Sequence, residues 1–236
     1  MAGAADGVKV SYLDECGLVR WVRPGDVGVD FAATAAVCSL PSYRGQRSFP
    51  GFYFAACTGR LVGFESWLER DEAMAMDFDP HITAFAAQPF RLEWMDSSGR
   101  RTHVPDFFAR RADVVGEVVD CRPANRIKPA DRELFDATAE ICAGAGWGFR
   151  LVHGHEPVWL ANVRRLAGYR MARCRRPVLD ALLLARFAEP GPLIEGAKAV
   201  GDPIAVLPTL YHLLWVGLLR TDLSVRLDAL SVVWRT

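Results

Sequence analysis

The sequence predicts an α/β protein, a mixed sheet flanked by helices, followed by a small α+β module. Three observations carry that expectation. Two short apolar runs, residues 104–108 and 116–123, read as neighbouring β-strands bounded by turn-forming residues at 96–99 and by Pro123. A strand–helix–strand pattern follows, with a helix over 128–143 stopped by Gly144 and Gly146 and a strand over 147–152. Beyond Pro177, helices at 178–188, 193–200 and 204–216 precede strands at 218–223 and 231–234, and three helices with a hairpin suggest a winged helix. The expected division is an N-terminal hairpin and basic loop (1–50), a sheet-and-helix core (51–169) and the C-terminal module (177–236).

Taken in order, residues 8–22 read as a hairpin turning around Asp14 to Gly17. Residues 24–50 are irregular, and 40–47 form a basic, turn-rich loop that is either a surface connection or a DNA or partner contact. A second hairpin, 52–57 with 60–64, turns at Thr58-Gly59 and leads into a helix over 66–77. Ser66 with Glu69 three residues later matches a capping box, so Glu69 has a structural explanation beside any catalytic one. Glu65 shares the helix face of Glu69 and is its alternative. Strands at 82–86 and 90–94 are interrupted by Gln88-Pro89, which argues for an edge or a bulge, and the Gln88 amide is a candidate to orient a site group.

A tight connection over 109–113 makes the two central strands an antiparallel pair. That pairing sets the Asp106 carboxylate beside Asp120 and Arg122. Alternation puts Asp120 and Arg122 on one face and Cys121 on the other, and leaves Glu117 out of the site. Two carboxylates and a fixed cation at a strand end suit a hard divalent cation and a phosphate.

Composition narrows the classes further. Hydrophobic residues make up 51% and charged residues 24% of the 236, as in a globular protein with one substantial core or two small ones. Acidic and basic residues balance at 28 each, so any nucleic-acid contact must come from local patches. Six scattered cysteines without CxxC or zinc spacing argue for a reduced setting. With no basic-then-apolar leader and no apolar run near ~20 residues, a cytoplasmic protein without membrane contact is expected.

The order of motifs resembles the TnsA-type endonuclease subunit of heteromeric transposases, within the PD-(D/E)xK nuclease superfamily. The residues that carry it are Pro105-Asp106 and Asp120-Cys121-Arg122. They are preceded by Glu65-Ser66-Trp67-Leu68-Glu69-Arg70-Asp71, Asp77-Phe78-Asp79-Pro80 and Ala87-Gln88-Pro89-Phe90. It spans about residues 51–169 and, loosely, the C-terminal segment. The resemblance implies a restriction-endonuclease-like sheet and a Mg²⁺-dependent endonuclease, with Mn²⁺ as the alternative ion, cutting one strand at each transposon end. Glu69, Asp106 and Asp120 would hold the metal, and Arg122 would position the scissile phosphate. The implied partners are transposon-end DNA, an integrase-fold transposase subunit and an AAA+ regulator. The chain departs from the family pattern in carrying Arg122 where lysine is usual. Arginine can clamp phosphate but cannot serve as a base. Asp120 also stands where a longer Glu or Gln is common.

Six arginines, Arg164, Arg165, Arg170, Arg173, Arg175 and Arg176, cluster without an intervening acid, and with Lys128 they are the candidate DNA-backbone contacts. The third C-terminal helix is too apolar to offer base-edge donors, so that module is expected to meet a protein partner or pack on the core. Two rival functions stand beside the transposase reading. One is a nuclease-fold subunit that no longer cuts and acts as a DNA- and partner-binding scaffold. The other is a stand-alone defence or repair nuclease.

Overall fold

The computed structural model describes residues 7–26, 28–39, 46, 49–112 and 116–236, which fall into two compact units. The basic loop expected at 40–47 lies outside the described residues apart from Gln46. The first unit takes residues up to 76 and 81–154, and the second takes 77–80 and 155–236. No helix among the described residues is long and apolar enough to cross a membrane.

The first unit begins with the expected hairpin, β1 (Lys9–Leu13) and β2 (Val19–Val22). Asp14 closes its turn by accepting from the backbone N–H groups of Cys16 and Leu18 at 3.0 and 2.9 Å. A second hairpin, β3 (Gly51–Ala55) and β4 (Arg60–Phe64), turns at Gly59, whose φ of +67° suits glycine. It runs into helix α1 (Trp67–Phe78), whose last two residues belong with the second unit. Strands β5 (Ile82–Ala87), β6 (Arg91–Asp96), β7 (Gly99–His103), β8 (Phe107–Arg111) and β9 (Glu117–Cys121) follow. Helix α2 (Pro129–Gly144) and β10 (Gly148–Val152) complete the unit.

The strands form two four-stranded sheets in the orders β2-β1-β6-β7 and β10-β9-β8-β5, beside the separate β3–β4 pair. β8 and β9 pair antiparallel, as their sequence predicts, with Phe107 opposite Val119. β9 and β10 are parallel, so α2 is the crossover between them. The N-terminal hairpin is not an extension of the core: β1 pairs directly with β6. Gln88-Pro89 marks neither a bulge nor a pause within one strand. There the chain leaves β5, an edge of the second sheet, and enters β6 of the first. β8 begins at Phe107, later than expected, because β7 occupies the preceding segment and Val104 to Asp106 form the passage between sheets.

Two apolar clusters fill the unit. In one, Phe31 lies edge-on to Phe90, Phe108 and Trp147 at centroid distances of 4.8, 5.7 and 5.6 Å, with Val118 and Cys142 beside them. The other gathers Tyr53, Phe64, Met76, Phe85, Phe107 and Val119. Val118 and Val119 are both fully buried on opposite faces of β9, so the central strand is covered on both sides.

The second unit contains α3 (Pro157–Ala167), α4 (Pro177–Arg186), α5 (Leu193–Val200) and α6 (Pro203–Trp215). Short strands β11 (Gly191–Pro192), β12 (Leu219–Thr221) and β13 (Val232–Arg235) pair in the order β11-β13-β12. The helix expected to end the core, α3, belongs here instead, tied in by Asn162. Its side-chain amide donates to the carbonyls of Leu223 and Val225 at 2.9 and 2.7 Å, while its oxygen accepts from the Leu227 N–H at 3.0 Å. Asn162→Ala removes all three bonds and leaves the buried Leu227 N–H unpaired. It is expected to destabilise the second unit by about 2–4 kcal/mol in urea unfolding, against ~0.5 kcal/mol for an exposed position such as Glu189→Ala.

Candidate functional site

The site forms where the passage from β7 into β8 meets the end of β9. Asp106 stands one residue before β8, and its backbone N–H donates to Asp120 Oδ1 at 3.2 Å. In return, the N–H of Cys121 donates to Asp106 Oδ2 at 2.7 Å. These reciprocal bonds hold the two carboxylates against each other. Burial, then the charges of Asp120, Glu69 and Glu65, push the Asp106 carboxyl well above the usual aspartate range despite the Cys121 bond. The expected meeting of Asp106 and Asp120 is present.

Glu69 sits in the alternative role its sequence context offered. Its Oε2 accepts from the Glu65 N–H at 2.6 Å and its Oε1 from the Ser66 hydroxyl at 2.7 Å. The Ser66 hydroxyl accepts from the Glu69 N–H at 3.2 Å and caps the start of α1, while the Glu69 carboxylate reaches one residue further back than in a capping box, to the Glu65 N–H. Burial raises the Glu69 carboxyl, partly offset by those bonds. Glu65, the alternative acid, accepts from Gln88 Nε2 at 2.9 Å. Gln88 has a φ of +46°, an uncommon conformation for a residue with a side chain. Its backbone N–H donates to the Asp106 carbonyl at 2.9 Å, so one residue links Glu65 to the Asp106 passage.

Arg122 does not join the acids. It lies past the end of β9, exposed, with Nη2 3.3 Å from Asp131 in the first turn of α2. Asp131 also accepts from the Lys128 N–H at 3.0 Å, which draws the Arg122 guanidinium to the helix start. Cys121 faces the α1 side instead, packed with the cluster that includes Met76 and Val152. Burial and the negative charges of Asp106, Glu72 and Glu69 push its thiol far up, so the thiolate is suppressed there.

Of two residues that the sequence reading passed over, one joins the acids and the other serves carboxylates beyond them. His103, the last residue of β7, has Nε2 2.8 Å from Asp120 Oδ2 and lies edge-on to Phe135. No strand is expected over Arg100 to His103, and its strand pairing with β6 comes from the partner strand. Arg150, in β10, reaches Glu72 at 2.7 Å and Glu117 at 3.0 Å. Burial works against its charge, but the two carboxylates more than offset this and raise its proton affinity. A charge in the middle of a crossover strand was the legible signal, because such a residue needs a partner on the covered face.

The arginine cluster divides. Arg165 donates to the Leu227 carbonyl at 2.8 Å and to the Tyr211 hydroxyl at 2.6 Å, and its guanidinium lies 5.0 Å over the Tyr211 ring. Arg170 donates to the Ala167 carbonyl and lies 4.0 Å from Asp77, and Arg175 pairs with Asp180 at 2.6 Å. These three hold the second unit together. Arg164, Arg173 and Arg176 are exposed, as is Lys128 in the first unit.

The donor set suits a hard divalent cation: Asp106 and Asp120 offer carboxylate oxygens, and a cation there would relieve the like-charge crowding on Asp106. Among the described residues, no three His, Cys, Asp or Glu side chains are already gathered as a cage. No protein-family model matches the chain, and no curated protein sequence matches it.

The raised Asp106 carboxyl has a sign that can be measured. A carboxyl raised in the folded state contributes stability below the ordinary aspartate pKa of 3.8, and that stability is lost as pH rises through the folded value. Asp106→Asn keeps an oxygen for the Cys121 N–H and removes the charge. Without added metal, its melting temperature is expected to exceed that of the wild type by a few degrees at neutral pH. The gap closes as the pH falls below the ordinary aspartate range, and thermal unfolding across pH checks this.

Proposed function

We propose that the chain is a Mg²⁺-dependent DNA endonuclease subunit of a heteromeric transposase, cutting one strand at each transposon end. The observation that carries this reading is the mutual capture of Asp106 and Asp120 at the end of the paired β8 and β9, with Asp106 crowded by negative charge. The two four-stranded sheets, with β9 central and α2 crossing to β10, support a restriction-endonuclease-like core. Asp106 and Asp120 would hold the cation, with Mn²⁺ as an alternative to Mg²⁺, and Glu65 is the third acid in preference to the helix-capping Glu69. A bound divalent cation supplies charge neutralisation at phosphate oxygens and acidifies water.

The chain's own residues do the positioning. His103 holds Asp120 in one orientation, and Gln88 fixes Glu65 relative to the backbone of Asp106. Glu69 anchors the start of α1 on which Glu65 depends. Arg122 and Lys128 flank the start of α2, and in this reading they would meet the DNA backbone rather than the reacting phosphate. In the second unit Arg164, Arg173 and Arg176 offer further backbone contacts. Within it, helices α4, α5 and α6 with the small β11-β13-β12 sheet support a winged-helix-like module, but α6 buries Val206 and every residue from Thr209 to Trp215. A buried third helix is a poor groove reader, so we assign that module to the partner subunits, an integrase-fold transposase and an AAA+ regulator.

A second reading has its own support. The capping role of Glu69 and the pairing of Arg122 with Asp131 are what a scaffold that no longer cuts would show. Strand-specific nicking of transposon-end DNA with Mg²⁺ and the cognate transposase separates the two. Asp106→Ala is expected to lower the rate by about 10²- to 10³-fold, and Arg122→Ala by much less. Equal nicking by wild type and Asp106→Ala overturns the nuclease reading in favour of the scaffold.

A further inference from the structure

Beside the acids stands a pair of aromatic rings that the cut itself does not use. Phe49 and Trp67 are 58% and 49% exposed, yet they stack on each other at a centroid distance of 5.5 Å with planes 25° apart. Trp67 opens α1 between Glu65 and Glu69, both of which act on Asp106. The Phe49 N–H donates to the Glu65 carbonyl at 3.2 Å, so the backbone that carries one ring is bonded to the backbone of a site acid. The Arg70 guanidinium lies 4.2 Å from the centre of the Trp67 ring and pairs with Asp71 at 2.8 Å.

Large aromatic rings left in water need a reason, because burying them is among the strongest stabilising contributions a fold has. Here the rings are already stacked on each other, a cation lies over Trp67, and the backbone of Phe49 is bonded to that of Glu65, one of the acids proposed to work on DNA. A nucleobase is flat, has a π-face whatever its identity, and arrives attached to a phosphate that Arg70 can meet. A base inside a duplex has both faces covered by its neighbours and cannot use such a platform. An unpaired base can.

We propose that Phe49 and Trp67 form a stacking platform for an unpaired nucleobase next to the scissile phosphate, with Arg70 steadying the attached backbone. This rests on the endonuclease reading for its location and adds that the chain prefers distorted or single-stranded DNA at the cut.

The test uses the full chain and a short single-stranded oligonucleotide carrying 2-aminopurine, whose fluorescence falls when it stacks. Wild type is expected to bind and quench the probe, and to do neither as well when the same strand is annealed to its complement. Trp67→Ala and Phe49→Ala are each expected to weaken binding roughly 5- to 150-fold and to abolish quenching. Trp67→Phe, which keeps a ring, retains both. Phe49 lies outside any helix or strand, so Phe49→Ala decides the matter even if Trp67→Ala unfolds. Wild-type affinity and quenching in Phe49→Ala, or a preference for duplex over single strand, overturn the platform. Asp106-dependent cleavage without quenching leaves the nuclease reading standing while the platform falls. Quenching lost in Phe49→Ala, without cleavage by any form, does the reverse.

Discussion

The first unit depends on the bond pair at the end of β8 and β9, where Asp106 and the Asp120–Cys121 stretch each accept from the other's backbone. Neither carboxylate could be brought out of water alone at acceptable cost. Each is tolerated because its oxygens receive N–H donors in fixed positions. The same bonds close the sheet end, set the register in which Phe107 faces Val119, and so decide which residues of β9 enter each apolar cluster. Structure and candidate chemistry therefore share one set of hydrogen bonds.

Charge is distributed around that closure in an uneven way. Glu65, Glu69 and Asp120 surround Asp106, while the nearby cations are occupied elsewhere. Arg150 serves Glu72 and Glu117, and Arg122 serves Asp131. The result is a local excess of negative charge held by packing. That arrangement is costly to a fold and useful to a cation site, and such conflicts between stability and local preference concentrate where function resides. The positive φ of Gln88 belongs to the same pattern, since it lets one side chain reach Glu65 while its backbone meets Asp106.

The second unit obeys a different logic. Its arginines, which by sequence form one basic tract, differ in what they meet, and Arg165, Arg170 and Arg175 tie the unit together. Arg165 makes two hydrogen bonds and lies over the Tyr211 ring, and Arg175 supplies the charge that buried Asp180 requires. A run of like charges was thus a poor guide to a binding face, because charge density along the chain says nothing about which guanidinium groups the fold has already engaged.

Local rules were enough for much of the molecule. Turn residues and strand periodicity placed the β1–β2 and β3–β4 hairpins, the β8–β9 pair, the α2 crossover and all three C-terminal helices. The Ser66–Glu69 spacing announced a helix cap before any geometry was known. Each of these signals acts over a few residues, and each survives in the fold because packing agrees with it. Tertiary structure decided what depends on distant partners. Strand β7 exists because β6 pairs with it, and His103 reaches Asp120 through that pairing. Arg122 is turned toward Asp131 by the start of α2, and α3 joins the second unit because Asn162 finds its partners around residues 223–227. The sequence by itself determined the helices, the hairpins and the central strand pair, and which acids could meet. The choice of cation for each acid was left to the folded chain, because long side chains are positioned by neighbours that lie far away in sequence.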